Sequence, residues 1–374
     1  MKSNNRDRPT ASRWYRTNLW VHRWVSLVVA LPFAILCLSG VILIFHEEVD
    51  VLLGQAPLTT AADDLVGQPL QASIEIAQRT YPGERIQSAT LDEEHFPGLL
   101  LMGMVKEGGS LEQARWVYVD IARAQLVEQP AFDETFTGFL LELHAQWFLG
   151  PIGELVGALI ALLVLLSLLS GMVVYGPYLR KFLFGVIRRG RGARLLQLDL
   201  HNLAGSVLFG WAFVVTLTGV LLGFGTVAIG VWQLTELAEL QRQYPQPVVV
   251  EAAANFDRVY AAAASAVEGW QPTTVLFPGS EYSTAQHYLV LLKGTHAFDE
   301  KMLQIALVDT QSQQLVRVMQ LPLYLKAILL SQPLHFGDYG GLALRLLWAA
   351  CTLAILFITL NGAWLWWARR RATG

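Results

Sequence analysis

Apolar positions along the chain fall into two patterns. Four stretches, 24–46, 151–176, 201–225 and 341–368, run almost free of charge. Each reaches the roughly 20 residues that cross a bilayer at about 1.5 Å rise per residue, so each is expected as a transmembrane helix. The first is too long for the apolar region of a cleaved leader, about 7 to 15 residues, and no small-residue cleavage site follows His46-Glu47-Glu48. It is expected to stay as an anchor.

Between the spans the pattern changes. Residues 47–150 and 226–340 each open on a helix-period segment, LQASIEIAQRTYPG in one and FDRVYAAAASAVEGW in the other. Alternating strand patterns follow: ERIQSATL, GLLLMGMVK and ARWVYVDIARAQLVEQ in the first, TTVLFPG, QHYLVLLKG and LQIALVDTQSQQLVRVMQ in the second. A helix on an antiparallel sheet buries the apolar faces of each, so two small α+β domains are expected.

The spans themselves repeat. His22 precedes Gly40 by 18 residues and His201 precedes Gly219 by 18, while His144 precedes Gly171 by 27 and His335 precedes Gly362 by 27. The chain therefore reads as a duplicated unit of helix, outer domain and helix, its copies in parallel orientation: a four-helix transmembrane bundle carrying two external domains.

Composition agrees. At 53% hydrophobic and 15% charged residues over 374 positions, the chain is too apolar for one soluble domain. Charge sets the orientation. Lys2, Arg6, Arg8, Arg13, Arg16 and Arg23 lie in 1–23, Arg180, Lys181, Arg188, Arg189, Arg191 and Arg194 lie between spans two and three, and Arg369–Arg371 close the chain. The positive-inside rule makes 1–23, 177–200 and 369–374 cytoplasmic, with both termini inside and both large loops outside. The rest of the chain keeps every acid except Asp7 and Asp199. Its acidic outer face favours cationic or neutral ligands and repels nucleic acid. Cys37 and Cys351 lie within predicted spans and read as small apolar residues, with no disulfide framework. The tryptophans near the span ends, Trp14, Trp20 and Trp24 and then Trp364, Trp366 and Trp367, read as an aromatic belt.

Five of the eight histidines stand at span ends, His22 and His201 inside and His46, His144 and His335 outside; His95, His287 and His296 lie in the loops. Equivalent positions in the two copies would bring His22 against His201, and His144 against His335. Two imidazoles converging on one plane are what a six-coordinate haem iron requires, giving two bis-histidine b-type haems, one near each face. No CxxCH occurs for covalent attachment. The four histidines are expected at helix beginnings, where the positive dipole end favours neutral imidazole. Gly40, Gly171, Gly219 and Gly362 would admit a flat macrocycle or a neighbouring helix. Zinc is the competing metal at the outer end, with His46, His144, His335 and Glu142 as its ligands. His46 has no counterpart in the second copy and is placed near the outer haem. Glu154 and Arg345, ten residues after His144 and His335, either pair with each other, snorkel, or bring Arg345 to a haem propionate.

The segments HRW…LSGVIL, LHAQWFLGPIGELVGAL…SGMVVYGP, DLHNLAGSV…LTGVLL and PLHFGDYGGLALRLLW…NGAWLWWARR resemble the PepSY-associated transmembrane family over about residues 14–371. VYVDIARAQLV and IALVDTQSQQLV look like the closing strands of its PepSY domains, although IARAQ and DTQSQ replace the usual glycine-containing turn. The resemblance implies a bacterial inner-membrane protein with two periplasmic PepSY-like domains. It also implies a role in iron uptake of the kind served by haem-dependent ferrisiderophore reductases, with His22, His201, His144 and His335 as haem ligands. Its partners would be the lipid bilayer, a ferric siderophore or other ferric chelate, and an electron donor, either quinol or a cytoplasmic reductase. No glycine-rich dinucleotide fingerprint occurs, so no NAD or FAD site is expected in this chain. Two other classes compete: a non-redox PepSY protein that binds or regulates a periplasmic peptidase, and a transporter, which would need broken spans with midplane polar groups.

Overall fold

The computed structural model describes residues 12–56, 69–93, 96–128, 134–180, 185–245, 255–296 and 299–371. Lys2, Arg6, Arg8, Lys181 and His95 lie outside them. The helices are α1 Arg13–Leu43, α2 His46–Leu53, α3 Leu70–Thr80, α4 Phe136–Leu141, α5 Pro151–Arg180, α6 Ala193–Val207, α7 Phe209–Leu222, α8 Gly225–Trp232, α9 Ala238–Gln243, α10 Phe256–Ala264, α11 Leu323–Phe336 and α12 Gly341–Arg371. The strands are β1 Glu84–Leu91, β2 Leu99–Lys106, β3 Arg115–Asp120, β4 Gln125–Val127, β5 Trp270–Leu276, β6 His287–Gly294, β7 Leu303–Asp309 and β8 Leu315–Gln320. The chain divides into a helical unit (Met1–His46, Thr137–Phe224, Ser331–Gly374) and a sheet unit (Glu47–Phe136, Gly225–Leu330).

In the helical unit, α1, α5 and α12 are each long and apolar enough to cross a membrane. Their outward faces carry exposed Val28, Leu31, Leu159, Leu162, Leu353 and Leu360. Such continuous apolar surface is untenable in water and ordinary against lipid tails. Helix α1 begins at Ser12, whose hydroxyl accepts the amide N–H of Tyr15. It therefore starts eleven residues before the apolar stretch and carries Trp14 and Trp20 on regular helix. Inside, Cys37, Ala212 and Ile355 form a small core with Phe33, Leu168 and Trp211, joining α1, α5, α7 and α12. Both cysteines are free.

The third apolar stretch departs from the single straight span that its composition predicts. Helices α6 and α7 meet at Leu208 and are bent by 66°, so the unit has three spans, or four if the bent pair counts as one. The bend has local causes. Ser206 turns its hydroxyl back onto the Asn202 carbonyl at 2.7 Å, Leu208 sits at the edge of the right-handed helical region (φ −88°, ψ −3°), and Gly205 and Gly210 flank it.

In the sheet unit the two expected α+β halves share one sheet. All eight strands form one antiparallel sheet in the order β4-β3-β2-β1-β5-β6-β7-β8. The two four-stranded meanders join where Ser88, Ala89 and Thr90 of β1 pair with Leu276, Val275 and Thr274 of β5. Helices α3 and α10 cover one face, with Ile74, Ala77, Val259 and Ala263 packed on Met102, Met104, Val290 and Leu292. The helices also cap each other. Asp257 of α10 accepts the backbone N–H groups of Leu70 (2.7 Å) and Gln71 (3.2 Å), and the Gln71 side-chain oxygen accepts the N–H of Phe256 (2.8 Å). Each helix thus satisfies orphan donors at the start of the other, which ties the halves into one folding unit. A second core on the opposite face, Leu237, Leu240, Leu289, Ile305 and Leu307, is roofed by residues 232–240, whose helical character the alternating patterns did not reveal.

The two unusual turns behave alike. Asp120 accepts the N–H of Arg123 (3.0 Å) and Asp309 accepts those of Gln311 (3.2 Å) and Ser312 (2.7 Å). Ala124 (φ 49°) and Gln313 (φ 55°) then take the left-handed conformation where a glycine would be unstrained.

Candidate functional site

The helical unit brings His22, His201, His144 and His335 together in two pairs. The ring centres of His22 and His201 lie 6.2 Å apart at 67°, and those of His144 and His335 lie 6.3 Å apart at 68°. An imidazole nitrogen binds a transition metal at about 2 Å, and the ring centre lies roughly 1.2 Å behind the nitrogen. One ion held between two rings therefore sets their centres about 6 Å apart, and both pairs leave that room.

One rule positions the rings. Each packs on a glycine of the helix paired with its own in sequence: His22 on Gly171, His144 on Gly40, His201 on Gly362 and His335 on Gly219. A Cβ on these glycines would lie 2.9, 3.1, 3.3 and 3.1 Å from the corresponding ring Cε1. The glycines make room for an imidazole, which neither of the two sequence-based readings anticipated.

The ring Nδ1 then meets the carbonyl four residues before that glycine. His22 Nδ1 lies 2.9 Å from the Ser167 carbonyl and His335 Nδ1 lies 2.9 Å from the Val215 carbonyl. His144 interacts with the Leu36 carbonyl and lies 2.9 Å from the Ser39 hydroxyl. A carbonyl only accepts, so Nδ1 carries the proton and Nε2 keeps its lone pair for a ligand. His201 repeats the arrangement in weaker form: the Ile358 carbonyl interacts with its ring, but Nδ1 makes no well-formed hydrogen bond.

Backbone geometry differs from the expected helix beginnings. His22 and His201 stand more than two turns inside α1 and α6, and His335 is in the last turn of α11. His144 rides on a π-helical turn, Glu142–Gln146, followed by Trp147 and Phe148 in the left-handed region (φ 50° and 57°). Two bulky residues in succession there are costly, and this reversal lays the turn back on α5. Gly153 permits the contact, since a Cβ on it would overlap the Gln146 carbonyl oxygen at 1.5 Å. The helix-dipole argument for neutral imidazole therefore does not hold; the carbonyl contacts at Nδ1 set the tautomer.

The remaining candidates lie apart from the pairs in role. His46 is exposed, its Nδ1 3.0 Å from the Leu43 carbonyl. Arg345 donates through Nε (3.0 Å) and Nη2 (2.7 Å) to the Ile44 carbonyl, with its guanidinium over the Phe45 ring, so it holds the negative end of α1. Glu154 accepts from Gln146 Nε2 at 3.2 Å. Among the described residues no group of three or more His, Cys, Asp or Glu side chains comes together, so the outer zinc reading loses its ligand set. Near His201, buried Asp199 accepts the backbone N–H of Arg188 and its guanidinium Nε, both at 2.9 Å, which anchors the basic linker to α6.

Sequence reasoning passed over the residue before each glycine: Ser39, Ser170, Thr218 and Asn361, all buried. Two of them touch a ring Nδ1, Ser39 at 2.9 Å and Thr218 at 3.3 Å. The available signal was a hydroxyl or amide before glycine in all four apolar stretches.

Among curated proteins the chain is similar to the uncharacterized protein PA4219 of Pseudomonas aeruginosa (strain PAO1), 28% identical over 270 residues. That match covers 64% of this chain and 64% of the relative. The family model described as the PepSY-associated TM region matches residues 19–369, and the chain belongs to that family.

Proposed function

We propose that this chain is an internally duplicated, four-span protein of the bacterial inner membrane. In this reading the His22–His201 and His144–His335 pairs each hold a b-type haem, and the protein carries electrons outward to reduce a ferric siderophore or similar chelate. Haem bound between each pair would supply a reversible one-electron carrier. Both termini are cytoplasmic in this reading, and the sheet unit is periplasmic.

The observation that carries the proposal is the packing of all four rings on glycine, with Nδ1 held toward a carbonyl at His22, His144 and His335, which leaves Nε2 of these rings free to ligate. Such support for the second ring nitrogen is what fixes a ligating histidine's orientation and basicity. Placement supports it further. Helix α1 contributes His22 to one site and Gly40 to the other, 18 residues or about 27 Å along its axis, close to the roughly 30 Å of hydrocarbon. Electrons crossing that thickness need a station near each face, and a two-station helix provides them. The core that joins α1, α5, α7 and α12 is apolar.

Electrons would enter at the basic, Arg-rich end from quinol or a cytoplasmic reductase, and leave at the end that carries His144 and His335. One electron converts each bound ferric ion to ferrous, for which a chelator built around the smaller, more highly charged ion has much lower affinity. The test is direct. Dithionite-reduced protein, freed of excess reductant, is mixed with ferrioxamine and a ferrous-specific chromogenic chelator. The reading expects reoxidation with one ferrous ion trapped per electron lost; protein that stays reduced contradicts the substrate assignment.

A further inference from the structure

Two buried polar atoms beside the inner histidine pair make no well-formed hydrogen bond, and their chemistry is complementary. Asn361 is 5% exposed; its side-chain N–H donates to the Gln197 carbonyl at 3.0 Å, and its Oδ1 makes no hydrogen bond. That donation fixes which end of the carboxamide is which, because a carbonyl accepts only from the NH2 end. Gln197 stands four residues before His201 on α6, so the amide lies along the turn that carries this ring. The next residue, Gly362, is the glycine on which His201 packs, a Cβ there lying 3.3 Å from ring Cε1 and 3.8 Å from Nδ1. His201 Nδ1, which faces the Ile358 carbonyl without a well-formed hydrogen bond, is the other such atom. At the matching position of the outer pair, Ser39 and Thr218 offer their hydroxyl oxygens to the rings of His144 and His335.

We propose that Asn361 is the positioning residue of His201: its carboxamide oxygen accepts the Nδ1–H and so directs Nε2 at the ligand shared with His22. Buried donors and acceptors are seldom left unmade, and the residue before glycine already meets a ring Nδ1 at Ser39 and Thr218. The inference rests on the haem reading above. An acceptor on Nδ1–H makes the imidazole a stronger electron donor to iron and favours the ferric state. Asn361 therefore lowers the potential of the inner site relative to one without that acceptor.

The experiment is a spectroelectrochemical titration of purified wild-type protein, Asn361→Ala and Asn361→Ser. The alanine variant is expected to shift one of the two reduction steps to higher potential by a three- to tenfold change in its one-electron equilibrium, tenfold being about 59 mV, and to leave the other step in place. The serine variant, which supplies a hydroxyl as at the other three positions, should return the shifted step toward wild type. Loss of one haem in the alanine variant with recovery in the serine variant also supports the assignment. Two unshifted steps with both haems retained overturn it, as does equal loss in both variants. A wild-type protein without haem refutes the parent reading instead, and the two failures are distinguished by the wild-type spectrum.

Discussion

Gly171 of α5 lies directly under the His22 ring of α1, where a single added methyl group would stand 2.9 Å from Cε1 and 3.0 Å from Nδ1. The corresponding clearance at Gly362 under His201 is 3.3 Å. Both glycines serve the same pair, so the two substitutions form a graded series. On the haem proposal, Gly171→Ala should displace its ring and lower the occupancy of one haem by at least half. Gly362→Ala should be milder, and Gly171→Val should abolish that haem while sparing the other. Haem per chain in the purified variants checks the order.

The π-turn carrying His144 depends on Gly153 as closely as His22 depends on Gly171. A Cβ there overlaps the Gln146 carbonyl, so Gly153→Ala must push the Glu142–Gln146 turn off α5. On the haem proposal, the expected result is selective loss of the haem at the His144–His335 pair with the one at His22–His201 retained, read from the reduced α-band and from haem stoichiometry.

How much of this was legible in the sequence follows from the reach of each signal. Local periodicity identified the three long apolar helices and most strands, because alternation and apolar runs are properties of neighbouring residues. The pairing of His22 with His201 followed from their equal spacing to Gly40 and Gly219, visible without any structure. The β1–β5 junction was not legible: the pairing of Ala89 with Val275 is a contact between distant segments that no local pattern encodes. The bend at Leu208 was hidden because Gly205, Ser206 and Gly210 are each tolerated in a straight membrane helix. Ser39, Thr218 and Asn361 were passed over because a polar residue in a span reads first as helix packing, and only the ring contacts give it a second role.

The crossed caps between α3 and α10 predict that the two halves of the sheet unit unfold together. Asp257→Ala removes the acceptor of two backbone N–H groups and should cost about 1–2 kcal/mol. Hydrogen exchange on the full chain in detergent should show protection falling in β2 and β6 alike. Loss confined to the half that contains α10 would contradict the single-unit description.

Ala124 and Gln313 occupy left-handed backbone without glycine's freedom. Ala124→Gly and Gln313→Gly should each stabilise the sheet unit by roughly 0.5–1 kcal/mol, relief of strain exceeding the added chain entropy. Ala122→Gly in the same turn gains no such relief and should destabilise. Chemical denaturation of the three variants checks the sign.

His287 is buried on β6 with Nδ1 2.8 Å from the Thr284 hydroxyl. Burial lowers its pKa; Asp309 opposes the shift and Arg317 reinforces it. Because the folded pKa is below the unfolded one, the unfolded state takes up the proton first as pH falls. Stability contributed by neutral His287 is therefore full above about pH 6.5 and declines as pH falls below it toward the folded value. His287→Gln should flatten that slope in hydrogen-exchange protection of β6 and β7, measured between neutral and mildly acidic pH.

The central claim is that the two histidine pairs hold two haems, and counting them tests it most directly. Absorption spectra of the purified protein, oxidised and dithionite-reduced, are combined with a pyridine haemochrome assay on wild type, His22→Ala and His144→Ala. The account predicts two b-type haems per chain in wild type and one in each variant; a wild-type protein with no haem, or variants that keep both, would contradict it.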